Sequence, residues 1–195
     1  ASNSQIIKAG FFQESAEVID VPLPDISEGV IIFLTGCFAP IHAGHIQAMA
    51  DAKVYVETVL KKKVAVGFFG FCHDEYVSTK TNDWPYSRRK EYFENHPLKE
   101  NWMMCLEYEA LNSCALNFTT VHQALVEKYN RETIMLCGAD NQDFHKVFSD
   151  DEIVIVFKRD LRSIDPMPSN VIVLESRNPS MSSSKIRNAS PVCNP

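Results

Sequence analysis

The 195-residue chain is short of several patterns that would settle its class at once. None of its six cysteines forms a C-x-x-C pair, which argues against a zinc ribbon or a thioredoxin-type motif. There is no G-x-G-x-x-G and no Walker-A sequence, which counts against a dinucleotide dehydrogenase and a P-loop enzyme. No run approaches the ~20 apolar residues that would span a bilayer, and no secretory leader is visible. Basic residues are in deficit, 19 Lys and Arg against 25 Asp and Glu, for a net charge of -6. That balance excludes a general nucleic-acid or membrane-surface binder, which would carry a basic excess. It leaves a nucleotide ligand open, since one local basic cluster suffices. His73, His122 and His145 lack ligand-like spacing, so no protein-held metal site is expected. Internal repeats and low-complexity tracts are absent.

What remains is ordinary globular material. Apolar residues make up 45% of the chain and charged residues 23%, as expected of a soluble domain with a sizeable core. Several cysteines lie in apolar runs, where a thiol acts as a small hydrophobe, so a reducing, cytoplasmic setting is expected. Residues 1–28 read as a lead-in, with Pro22, Pro24, Asp25 and Ser27 marking a turn. Apolar runs then alternate with helical candidates. The runs are Val30–Thr35, Val64–Phe69, Trp102–Leu106, Thr133–Cys137, Ile153–Phe157 and Val171–Leu174. The helical candidates lie near 44–60, 86–96, 118–129, 140–148 and 182–188. Lys61, Lys62 and Lys63 read as a solvated helix C-terminus. Continuous Val/Ile/Phe runs suit strands covered on both faces. Strand–helix alternation predicts parallel βαβ units. The expected fold is therefore α/β: a single domain built on a doubly wound, Rossmann-like parallel sheet with flanking helices. A ligand would lie at the carboxyl ends of the strands, where strand order reverses. Of only seven glycines, Gly36 and Gly138 each follow a strand, where glycine either allows close backbone approach to a ligand or simply turns the chain.

Two segments carry chemistry. The first is Gly36-Cys37-Phe38-Ala39-Pro40-Ile41-His42-Ala43-Gly44-His45, set between the first strand and a helix. Helix-start amides carry partial positive charge and receive phosphates, and histidines there can donate to phosphoryl oxygens. The second is Met181-Ser182-Ser183-Ser184-Lys185-Ile186-Arg187. Serine caps helix starts, and arginine can grip a phosphate with two donors.

The first segment resembles the signature G-x-F-x-P-x-H-x-G-H of the H-x-G-H nucleotidyltransferase superfamily and matches it at every specified position. The second resembles the superfamily's I-S-S-T-x-I-R, with Met181 for Ile and Ser184 for Thr. Between them, Val64–Gly67, His73–Tyr76 with Lys80, Pro85–Arg89, Trp102–Glu109, Leu136–Asp140 and Ile153–Arg159 resemble segments of nicotinamide/nicotinate mononucleotide adenylyltransferases. The L-C-G-A-D run at 136–140 matches that family outright. Three features depart from it: Tyr108 stands where tryptophan is frequent, Gly70-Phe71-Cys72 replaces a Ser-Pro, and the chain stops eight residues after Arg187.

The resemblance implies a nucleotidyltransferase domain over 29–195. It implies adenylyl transfer from ATP to nicotinamide or nicotinate mononucleotide, giving NAD or its deamido form and pyrophosphate. The roles it implies are catalytic contacts from His42, His45 and Arg187. ATP or phosphate contacts would come from Gly36, Cys37, Phe38, Lys80, Gly138, Asp140, Ser182, Ser183 and Ser184, and mononucleotide contacts from Arg89 and Tyr108. Mg²⁺ would arrive held mainly by substrate phosphates. Asp140 either meets the ligand or caps the helix expected at 140–148. Lys80 meets phosphate or solvent. The alternatives are another H-x-G-H enzyme, such as a pantetheine-phosphate adenylyltransferase or a cytidylyltransferase, and a catalytically weak nucleotide-binding module. Association with nucleic acid or membrane is not expected; a homo-oligomer is left open.

Overall fold

Each of the six apolar runs becomes a strand. The computed structural model describes residues 17–139, 150–158, 167–177 and 180–189. The strands are β1 (Val30–Gly36), β2 (Val64–Phe71), β3 (Met103–Leu106), β4 (Thr133–Gly138), β5 (Val154–Lys158) and β6 (Val171–Glu175). They form one sheet in the order β3-β2-β1-β4-β5-β6, and every pairing is parallel. β1 thus sits centrally. The chain builds outward from it to β2 and β3, then crosses back to β4 and continues to β6. The reversal of strand order falls between β1 and β4, which is where an open α/β sheet leaves a crevice at its carboxyl edge.

Successive residues of a strand point to opposite faces, so β1 feeds two cores. Ile32 and Leu34 join Phe69, Phe71, Ile46, Met49 and Phe93 on one side. Ile31 and Phe33 join Val66, Phe68, Val121 and Leu125 on the other. The first face is covered by α1 (Ala43–Thr58) and α3 (Tyr86–Glu94), the second by α4 (Phe118–Tyr129). A four-residue α2 (Asp74–Val77) follows β2, and α5 (Ser183–Ala189) follows β6. The helix expected at 140–148 lies outside the described residues. Among the described residues no helix is long and apolar enough to cross a membrane.

Two details differ from the sequence reading. Trp102 precedes β3 instead of starting it; its carbonyl accepts from Gly67 N–H at 3.0 Å. The three lysines lie beyond α1, which is capped by Val59. There Lys61 turns with φ 56°, Lys62 pairs with Glu132 at 2.8 Å, and the Lys63 carbonyl accepts from Val30 N–H at 2.8 Å. The chain has to reverse within these residues to bring β2 alongside β1, so they form the turn itself.

Residues 17–28 run as an extended strap beside α4. Val21 is buried, and Leu23 and Ile26 pack on the second core. Asn112 holds Ile19 by two bonds of 3.0 and 2.9 Å, and the Tyr129 hydroxyl donates to the Pro24 carbonyl. The strap then turns into β1 at Gly29. Its φ is 133°, and a Cβ there would lie 2.6 Å from the Lys63 carbonyl oxygen. Both features reject a side chain. Gly29→Ala is expected to lower unfolding free energy by about 1–3 kcal/mol, read as a lower midpoint in urea with an unchanged slope. An unchanged midpoint would mean that the strap turns elsewhere.

Candidate active site

The turn after β1 is shaped by Phe38. Its backbone is left-handed, φ 49°, and the next peptide, Ala39–Pro40, is cis. A left-handed phenylalanine is strained, and its ring packing offsets that strain. The ring meets Phe69, Phe71 and His45 edge-on at centroid distances of 5.7, 5.0 and 5.1 Å. Gly36 makes room for it, since a Cβ there would lie 2.9 Å from the ring.

α1 then begins with a reciprocal cap formed by the two histidines. His42 Nδ1 accepts from Gly44 N–H at 3.0 Å, and His42 N–H donates to His45 Nδ1 at 3.2 Å. Each Nδ1 is therefore an acceptor, so the proton of each neutral ring sits on Nε2. The rings stack with centroids 3.7 Å apart, and His42 is buried. Among the described residues the N–H groups of Phe38 and Ala39 have no acceptor, although buried amides are nearly always paired. They are available to a ligand oxygen.

The second motif reaches this turn across 143 to 148 residues of sequence. Ser183 Oγ donates to the Pro40 carbonyl at 2.7 Å, and Arg187 Nη1 donates to the Ala39 carbonyl at 2.6 Å. Ser182 Oγ accepts from Lys185 N–H at 3.1 Å in the first turn of α5. Ser184 is exposed and receives Arg187 Nη2 at 3.3 Å. The structure thus brings His42, His45, Gly36, Phe38, Ser182, Ser183, Ser184 and Arg187 to one place.

The neighbouring strand ends join them. Cys72 N–H donates to the Gly36 carbonyl at 3.0 Å. Gly138 ends β4, two residues past Leu136, the partner of Leu34 in β1. Lys80 Nζ lies 5.1 Å from the centre of the Tyr76 ring. Burial disfavours its ammonium, but the acidic groups of Cys37, Tyr76 and Cys72 outweigh that, and its pKa is raised. Lys80 is therefore a cation at neutral pH, set over the Tyr76 ring of α2.

Two expected residues sit differently. Arg89 is fully buried and turns its nitrogens to protein oxygens, the Cys37 carbonyl at 2.7 Å among them. Tyr108 packs on the second core, on the face of the sheet opposite Phe38. Burial raises its phenol pKa, with help from Asp20 and Glu127. Asp140 lies outside the described residues. Sequence reasoning gave no role to Asp74 and Glu109. Asp74 Oδ1 accepts from Tyr86 N–H at 2.8 Å and Glu109 Oε2 from His73 N–H at 2.9 Å. An acid beside the first turn of a short helix was the available signal.

The family model for cytidylyltransferase-like proteins matches residues 33–189, and these include both motifs. The chain belongs to the cytidylyltransferase-like family. Among solved structures, this cytidylyltransferase-like chain is similar to Plasmodium falciparum nicotinic acid mononucleotide adenylyltransferase complexed with NaAD. The TM-score is 0.58 at 13% identity, over 83% of each chain. The same enzyme complexed with APC gives 0.57 at 11% identity, again over 83% of each chain. At this identity the likeness establishes the shared α/β fold. No curated protein matches the chain in sequence.

Hydrogen bonds from a charged donor contribute about 1.5–3 kcal/mol. Arg187→Ala is therefore expected to loosen α5 from the turn, with amide exchange in α5 faster by roughly tenfold or more and exchange in β1 unchanged. Equal exchange in both proteins would show that the arginine does not dock the helix.

Proposed function

We propose that the chain transfers the adenylyl group of ATP to nicotinate or nicotinamide mononucleotide, releasing pyrophosphate. The observation that carries this reading is the junction of the two motifs, Arg187 on the Ala39 carbonyl and Ser183 on the Pro40 carbonyl. Amides with no acceptor among the described residues, two imidazoles, hydroxyls and an arginine meet there, which suits a triphosphate. The choice of acceptor is supported by the L-C-G-A-D run and by the fold shared with the nicotinic acid mononucleotide enzyme.

The mononucleotide phosphate attacks the α-phosphorus in line and pyrophosphate leaves. Such transfers are catalysed mainly by positioning and by stabilising spread negative charge, so no protein nucleophile is needed. His42 and His45 donate from Nε2 to α- and β-phosphate oxygens. The Phe38 and Ala39 amides seat the phosphates against the turn. Ser182 and Ser184, with Arg187, flank the β- and γ-phosphates at the start of α5, and Lys80 adds charge from the β2 side. Gly138 leaves the end of β4 open for nucleotide. Tyr108, packed on the opposite face, is left out of the acceptor site. Mg²⁺ would be held mainly by the substrate phosphates and would supply charge neutralisation there. Among the described residues no group of three or more His, Cys, Asp or Glu could hold a metal ion.

Pyrophosphate release from Mg-ATP with a panel of phosphorylated acceptors tests the reading. Turnover is expected with the two mononucleotides. Turnover confined to phosphopantetheine, or to CTP in place of ATP, would assign the chain to another branch of its family. Removing one transition-state donor typically lowers turnover by roughly 10²–10³. His45→Ala is therefore expected to lower kcat at least tenfold while keeping the circular dichroism of the parent, and near-normal turnover would remove His45 from the chemistry.

A further inference from the structure

Arg89 is the largest side chain among those described as fully buried. A buried cation is costly, and an apolar residue of similar volume would often serve stability as well. Its acceptors explain its presence. Nε donates to the Trp84 carbonyl at 3.0 Å, Nη1 to the Cys37 carbonyl at 2.7 Å, and Nη2 to the Cys72 carbonyl and Asp74 Oδ1, each at 2.8 Å. One planar group therefore ties the turn after β1, the end of β2, the start of α2 and the approach to α3. Asp74 is half-exposed, so solvent screens the ion pair and the carbonyls make up most of the grip. The Cys37 carbonyl adjoins Phe38, whose left-handed backbone and ring back His45 at 5.1 Å.

We propose that Arg89 is a positioning residue: its hold on the Cys37 and Cys72 carbonyls sets the height of the Gly36–Ala39 turn and, through Phe38, the place of His45. This inference rests on the adenylyl-transfer reading. It differs from a direct role in mononucleotide binding, because the guanidinium is shielded from water and its nitrogens already face protein oxygens. Lysine cannot replace it. A single ammonium does not span carbonyls on two strands as the guanidinium fork does.

The test compares the parent with Arg89→Lys and Asp74→Asn. A misplaced reacting group can lower rate by up to about 10². For Arg89→Lys, kcat is expected to fall about tenfold or more while KM for the mononucleotide stays within about threefold. Unchanged kcat would overturn the inference. So would a tenfold rise in mononucleotide KM with kcat retained, which would make Arg89 a substrate contact. Should Arg89→Lys not fold, Asp74→Asn decides. It keeps the carbonyl bonds, so kcat is expected within about threefold of the parent; a tenfold loss would mean that the ion pair fixes the turn, against the inference. If the parent makes no pyrophosphate with any acceptor, the functional reading fails on its own. Arg89 is then judged by calorimetry with Mg-ATP, where Arg89→Lys is expected to bind about fivefold or more weakly. Equal affinity would overturn the inference.

Discussion

Three carbonyl groups in one tight turn organise the upper edge of this protein. Those of Cys37, Ala39 and Pro40 are held by Arg89, Arg187 and Ser183. The three side chains come from α3 and α5, which sit far apart in sequence. The turn is strained at Phe38 and would not persist alone. Held from two sides, it delivers a stacked histidine pair to the start of α1 and leaves the Phe38 and Ala39 amides without acceptors among the described residues. The same bonds explain why the two motifs belong together. The hydroxyl-rich helix docks on the backbone of the histidine loop, so their separation along the chain vanishes in space.

The sheet makes this possible. β1 is central and flanked by β2 and β4, so its carboxyl end opens at the reversal of strand order. Continuous apolar side chains on both faces of β1 fix its register. A slip of one residue would exchange Phe33 with Ile32 or Leu34 between two differently shaped cores. Rigid strand ends then carry a turn whose shape is set by polar contacts. Packing positions the scaffold, and hydrogen bonds to carbonyls position the chemistry.

The six strands were legible because each lies in a short apolar run, from Val-Ile-Ile-Phe-Leu in β1 to Met-Met-Cys-Leu in β3. Four helices appeared close to their expected bounds, α4 at 118–129 with an Asn117 cap. The four-residue α2 was too short to leave a periodic pattern. The lysine triplet misled, since a charged run reads alike at a helix end and in a turn; only the bond between Val30 and Lys63 decides. The histidine pair and the serine turn were legible through spacing. The partners of the arginines were not. A cation in the first turn of α3 suggested a phosphate, but carbonyls and Asp74 satisfy Arg89 instead. Which acceptor a guanidinium finds depends on contacts across 15 to 52 residues of sequence, and local pattern holds no record of them. Tyr108 shows the same limit: an aromatic at the right spacing can pack on either face of the sheet.

The account stands or falls on where a triphosphate lies. A crystal structure of the chain with a non-hydrolysable ATP analogue and magnesium is the direct measurement. The account predicts phosphate oxygens within hydrogen-bond reach of His42 and His45 Nε2 and of the Phe38 amide, with the first turn of α5 on their other side. Phosphates bound away from the β1–α1 turn, with the histidine rings untouched, would contradict it.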